Sequence, residues 1–176
     1  QTINTLDAAN KELVIALRGD NSITYAAALG VDGQRLSTAG LITIDAHHDL
    51  RDGNSNGSPV RRLIEAGLNP KQIVQIGIND FSNSSDYEQL AHSLGITVIT
   101  RTEVASIGIA NACKKALEIA GVSLGPIHVD LDVDVCDQSV VPACPAAAPG
   151  GISAFELRQA ARLLTANSLV RGLDIT

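Results

Sequence analysis

Six short runs rich in Val, Ile and Leu punctuate this chain, and most read as continuous apolar stretches rather than as strict apolar and polar alternation. A strand of that kind must be covered on both faces, as in a parallel sheet flanked by helices. The runs fall at 12–17, 41–45, 73–78, 97–100, 126–132 and 169–175. Stretches of helical periodicity lie between them, at 23–29, 59–66, 86–94, 110–120 and 153–164. This repeating strand, turn and helix predicts an α/β fold with three α/β/α layers and a mostly parallel central sheet. The last helix is the best marked. Ser153-Ala-Phe-Glu156 spells a capping box, and Leu157, Ala160, Ala161 and Leu164 follow at helical spacing.

The chain has 176 residues and is 45% hydrophobic, enough for one domain, spanning 1–176, with a sizeable core. Charged residues make up 18% and the formal net charge is -6, so nucleic acid and anionic membrane are excluded as partners and a small molecule is expected. No apolar run reaches the roughly 18 to 20 residues of a membrane span. The first residues lack the charged-then-apolar layout of a signal peptide, and a soluble, cytoplasmic protein is expected. Cys113, Cys136 and Cys144 form no CxxC pair, which suggests free thiols in a reducing compartment. The chain opens on Gln1, contains no Met, and ends on a strand-like run with no element after it. Sequence is expected to be missing at both ends.

Two long loops, 47–58 and 133–151, each follow a strand directly. Ligands in an open α/β sheet bind outside the carboxyl ends of its strands, so function should concentrate there. Asp45, His47 and Asp49 stand at i, i+2 and i+4 as one strand runs out, and an extended chain would send all three side chains to one side. Asp130, Asp132 and Asp134 repeat that spacing at the end of another. Crowded carboxylates at the end of a buried strand are costly unless a cation compensates. Carboxylates with an imidazole and no thiolate suit Mn²⁺, with Mg²⁺, Fe²⁺ or Co²⁺ as alternatives. Two such ions roughly 3.5 to 4 Å apart generate a hydroxide nucleophile near neutral pH, so the chemistry implied is hydrolysis. The plainer reading of either cluster alone is helix capping, solvation or ion pairing. His48 should face away from His47 and serve packing.

Asp45-Ala-His47-His48-Asp49, and Asp132-Val-Asp134-Val-Cys-Asp137 running through Pro142 to Gly150-Gly151, resemble the signature motifs of the ureohydrolase family of arginase, agmatinase and formimidoylglutamase. The motifs occur in the family's order, and the resemblance covers the whole chain as the central portion of a longer protein. It implies an arginase-like fold, two manganese ions, a homo-oligomer (trimer or hexamer) and a small amidine or guanidino substrate. Carried over residue by residue, Asp45 and Asp132 would bridge the metals, Asp49 would bind one, and His47 and Asp134 the other. Asp130 is not implied as a ligand. Asp137 would relay a proton or orient the cluster.

The chain departs from that pattern twice. The family's first motif ends in a metal-binding His, where this chain has Asn21 within Arg18-Gly-Asp-Asn21-Ser22. Asn21 would then be a weak ligand, or water would take its place. A His serving as proton shuttle in arginases and agmatinases is replaced by Asn56, and an amide cannot shuttle protons. Both spellings are similar to formimidoylglutamase, whose amidine substrate needs less proton transfer. Arg51 supports that branch, because a glutamate-derived substrate offers carboxylates to a guanidinium. Arg61 and Arg62 are further candidates, although an exposed helix face explains them more simply. The family's substrate-gripping Glu would fall one residue after Thr176.

The expected activity is Mn²⁺-dependent hydrolysis of N-formimidoyl-L-glutamate to L-glutamate and formamide, as in histidine degradation. One alternative is an agmatinase or guanidino-acid hydrolase releasing urea. Another is an inactive homologue kept for binding or assembly, and the loss of His at positions 21 and 56 favours it.

Overall fold

The computed structural model describes residues 13–176, so Glu12 of the expected first strand and the segment before it lie outside the described residues. Six strands form one sheet: β1 (Val14–Leu17), β2 (Gly40–Ile44), β3 (Ile73–Ile78), β4 (Thr97–Thr100), β5 (Ile127–Leu131) and β6 (Val170–Ile175), in the order β1-β6-β5-β2-β3-β4. Every pairing is parallel. The apolar runs dictate this order. β2, β3 and β5 are buried at every position and lie inside the sheet, whereas half-buried β1 and β4 take the edges.

Six helices cover the sheet: α1 (Ile23–Asp32), α2 (Pro59–Glu65), α3 (Ser85–Leu94), α4 (Arg101–Ile107), α5 (Ile109–Ala120) and α6 (Ala154–Thr165). α4, α5 and α6 pack on one face against Ile42, Ile44, Val74, Ile76, Val129 and Leu131. α1, α2 and α3 pack on the other with Leu41 and Ile73. The result is the three-layer arrangement expected.

Side chains alternate along a strand, so the face bearing Leu41 and Ile73 also receives Thr43 and Gln75. His128, Asp130 and Asp174 share that side, and all five polar residues are buried. The strands are therefore apolar on one face and mixed on the other, a distinction the runs of Val and Ile conceal.

α6 opens on Ser153, whose hydroxyl accepts from the backbone of Glu156 while the Glu156 carboxylate accepts from the Ser153 N–H. Thr100 and Glu103 build the same box at α4, a helix absent from the sequence expectation. Seven residues are too few for periodicity to reveal, although the Thr-x-x-Glu spelling marks its start. The three cysteines are free. Among the described residues no helix is long and apolar enough to cross a membrane.

Candidate metal centre

β2 and β5 are neighbours in the sheet, and their carboxyl ends bring the two acidic motifs together. β2 ends at Ile44, and the Asp45 N–H donates to Ile76 O at 3.1 Å. Asp45 Oδ1 then accepts from the His47 N–H at 2.7 Å, which turns the chain. β5 ends in the same way. The Asp132 N–H donates to Ile44 O at 3.0 Å, and Asp132 Oδ1 accepts from the Asp134 N–H at 2.9 Å.

The two turns interlock. Asp134 Oδ1 accepts from the Ala46 N–H at 3.2 Å, and His47 Nδ1 lies 2.9 Å from Asp134 Oδ2 and 3.5 Å from Asp45 Oδ1. Asp49 has φ 54°, a left-handed conformation unusual outside glycine, and its carbonyl accepts from the Arg61 N–H at the start of α2. Convergence of Asp45, His47 and Asp49 thus comes from a turn and a left-handed residue, and not from the extended chain expected of them. His48 is directed away, as the alternation of side chains suggested. Its Nδ1 meets Gln75 Oε1 at 2.7 Å, and Gln75 Nε2 donates back to His48 O at 2.8 Å.

Two sets of ligand-type atoms lie within 4.8 Å of one another: Asp45, His47 and Asp134, and Asp45, Asp49 and Asp130. Asp132 is half-buried on the wall of the same pocket. The Asn21 amide donates to Asp49 Oδ2, while Asn21 Oδ1 accepts from the Thr24 hydroxyl at 2.8 Å.

These groups repel one another at close range and are short of water. Burial pushes the Asp45 carboxyl up to about 8 and that of Asp132 up to about 7, with neighbouring carboxylates adding to both. Burial likewise holds the Asp49 and Asp130 carboxyls well above the usual range. His47 moves the opposite way in charge. Its hydrogen bond to Asp134, then that to Asp45, raises the imidazole to about 10. Asp45 Oδ2 and both oxygens of Asp130 are buried without a hydrogen-bond partner. Unpartnered oxygens clustered with other acids are what a divalent cation satisfies, and oxygen donors with one imidazole match a hard or intermediate ion.

The cluster opens into a pocket of about 380 Å³ whose wall includes Asn21, Arg51, Asn56 and Thr176. Arg51 lines the pocket, is exposed and enters no salt bridge among the described residues. Asn56 lies on the same wall, and the Arg51 N–H donates to Gly57 O at 2.9 Å, holding the two together. Arg61 and Arg62 are engaged elsewhere. Arg61 pairs with Asp52 at 2.6 Å and Glu65 at 3.1 Å, and Arg62 stacks 3.7 Å over the Tyr25 ring.

Asp137 is not brought to the pocket. Its carboxylate accepts from Ser139 N and Oγ and from the Gly150 N–H, tying the 133–151 loop across its base. Those bonds hold it below the ordinary carboxylate range. Sequence reasoning also passed over Gln75, which clamps His48, and Asn83, whose amide oxygen accepts from the His48 N–H while its nitrogen donates to Ala46 O at 2.8 Å. A polar residue inside an apolar strand was the available signal for Gln75.

A parallel α/β/α sheet with interlocked acidic turns at the carboxyl ends of two central strands presents carboxylate and imidazole donors that could hold a divalent cation. The chain belongs to the arginase family, whose model matches residues 4–176. It is 40% identical over 166 residues to the formimidoylglutamase of Halalkalibacterium halodurans, an alignment covering 92% of this chain and 52% of that protein. The crystal structure of formimidoylglutamase from Bacillus subtilis superposes with a TM-score of 0.90 at 32% identity, covering 99% of this chain and 57% of that one. Trypanosoma cruzi formiminoglutamase, solved with Mn²⁺, superposes with a TM-score of 0.89 at 22% identity, covering 99% of this chain and 61% of that one. The chain therefore spans about half the length of the curated relative it matches.

Proposed function

We propose that this protein is a Mn²⁺-dependent hydrolase of a linear amidine, cleaving N-formimidoyl-L-glutamate to L-glutamate and formamide. The observation that carries the reading is the packing of Asp45 with His47, Asp134 and Asp49, beside a pocket whose wall holds His47, Asp49, Asp132, Asp134 and Arg51. Likeness to two formimidoylglutamases above 30% identity supports the substrate, and the Mn²⁺ of the trypanosomal enzyme supports the metal.

Asp45, His47, Asp134, Asp132 and Asp49 would hold the ions, with Asn21 oriented by Thr24 behind Asp49. Bound manganese supplies Lewis acidity and a nucleophilic water at neutral pH. The chain's own groups do the positioning. Arg51 offers a planar pair of donors to a substrate carboxylate, and Asn56 offers an amide to the same end of the molecule. The water oxygen becomes the formamide carbonyl, one of its protons converts the imino nitrogen to the formamide NH2, and the other goes to the glutamate nitrogen as its bond to the amidine carbon breaks. Asp137, held in its loop, takes no part in this scheme.

The test is a product assay on the purified protein loaded with Mn²⁺, offered formimidoylglutamate, agmatine, arginine and a guanidino acid. Formamide from formimidoylglutamate alone is expected. Release of urea from a guanidino substrate would move the activity to that branch, and silence on every substrate with manganese bound would make the protein a binding homologue.

A further inference from the structure

Asp130 sits in the middle of the sheet on β5 with no accessible surface, and neither carboxylate oxygen has a hydrogen-bond partner. Its in-register neighbours offer no relief. Thr43 on β2 has an unpartnered hydroxyl of its own, and Asp174 on β6 is another carboxylate, bonded to His128 at 2.5 Å and Thr24 at 2.7 Å. A buried carboxylate left in that state is unfavourable unless a donor or a cation compensates it. What Asp130 does reach is the metal cluster. One of its oxygens lies within 4.8 Å of ligand atoms of both Asp45 and Asp49. Oxygen donors that share a cation at roughly 2.0 to 2.6 Å stand no more than about 5 Å apart, so these three can meet on one ion.

The trio is separate from the one that holds His47, and the two share only Asp45. It lies on the side where Asp49 accepts from Asn21, the amide found where the family's pattern has an imidazole. An amide brings no charge and binds a cation weakly, whereas a carboxylate brings a full negative charge and two oxygens. The position that loses a ligand is therefore next to one that gains an extra, otherwise unpartnered acid.

We propose that Asp130 is a further ligand of the divalent cation on the Asp49 side, replacing the donor strength that Asn21 withdraws. The inference rests on the metal site of the proposed function but not on its substrate. In a chain with Asn at position 21, the acid is what makes two-metal occupancy attainable.

Mn²⁺ binding to the full-length protein by titration calorimetry, with electron paramagnetic resonance to detect spin-coupled pairs, tests this without any turnover measurement. Wild type should bind two equivalents. Asp130→Asn and Asp130→Ser should keep the equivalent at Asp45, His47 and Asp134, weaken the other about tenfold or more, and lose the coupled signal. Asn21→His in the Asp130→Ser background should restore both. Circular dichroism of the manganese-free variants checks folding, and the serine variant stands in if the asparagine variant fails. The proposal is overturned if both Asp130 variants fold and bind two equivalents as tightly as wild type, or if wild type binds fewer than two. Absence of formimidoylglutamate hydrolysis with both ions bound would sink the substrate reading and leave this one standing.

Discussion

Asp45 and Asp132, at the carboxyl ends of adjacent strands, make the same turn: one oxygen of each accepts the backbone N–H two residues on, at 2.7 Å from His47 and 2.9 Å from Asp134. The turn fixes the carboxylate through one oxygen and leaves the second to other partners. Asp45 Oδ2 is buried with no partner. Each aspartate is thus an anchor for its own loop and a donor to whatever the loops enclose.

Asp132→Ala removes one of those donors and the anchor of the turn that aims Asp134. Loss of Mn²⁺ affinity by roughly 100-fold and loss of turnover are expected, since even groups outside the ligand set alter affinity by about 10 to 100-fold. Metal analysis after gel filtration, run beside the product assay, checks it. Wild-type turnover with stoichiometric manganese would contradict the ligand assignment.

Stability of the manganese-free protein should fall as pH rises. The Asp45 carboxyl at about 8 and the His47 imidazole at about 10 both bind protons more tightly in the folded chain than at their ordinary values of 3.8 and 6.5. Stability from such groups is complete below the ordinary value and is lost as pH climbs towards the folded one. Melting temperature should therefore decline from about pH 6 to about pH 9, and Mn²⁺ should raise it most at the alkaline end, where protons no longer compete for the ligands. Scanning fluorimetry with and without manganese measures both trends.

Arg51→Gln should raise KM for a dicarboxylate substrate about tenfold while leaving manganese binding intact, because a lost charge-assisted hydrogen bond is worth about 1.5 to 3 kcal/mol. Arg62→Gln is the control, since that side chain stacks on Tyr25. Equal losses in both variants would argue against a substrate role for Arg51.

Gly151→Ala should destabilise the fold by roughly 1 to 3 kcal/mol, the usual cost of overpacking. A Cβ at Gly151 would stand 2.3 Å from the Cys136 carbonyl carbon and 2.4 Å from the Asp137 nitrogen, backbone atoms that cannot swing aside. This close approach accompanies the bridge between Cys136 and Ile152 that seats the 133–151 loop on α6. Urea unfolding of the two proteins reads the difference, and an unchanged midpoint would show that the loop has slack.

The sequence by itself determined the layers and the place of the site. Runs this rich in Val, Ile and Leu call for cover on both sides, which points to a parallel sheet, and a parallel sheet offers its ligands the carboxyl ends of its strands. The metal motifs were legible for the same reason, because carboxylates packed at a buried edge repel one another unless a cation lies between them. Tertiary structure decided what spacing cannot carry. The left-handed turn at Asp49, the withdrawal of Asp137 into its own loop and the diversion of Arg61 to Asp52 all depend on backbone bonds or on partners that motif spacing does not name. Asp130 is the sharpest case. In the sequence it is one more acid in a row of three, and only the packed structure shows it sealed from water, without a donor, and within 4.8 Å of ligand atoms of Asp45 and Asp49.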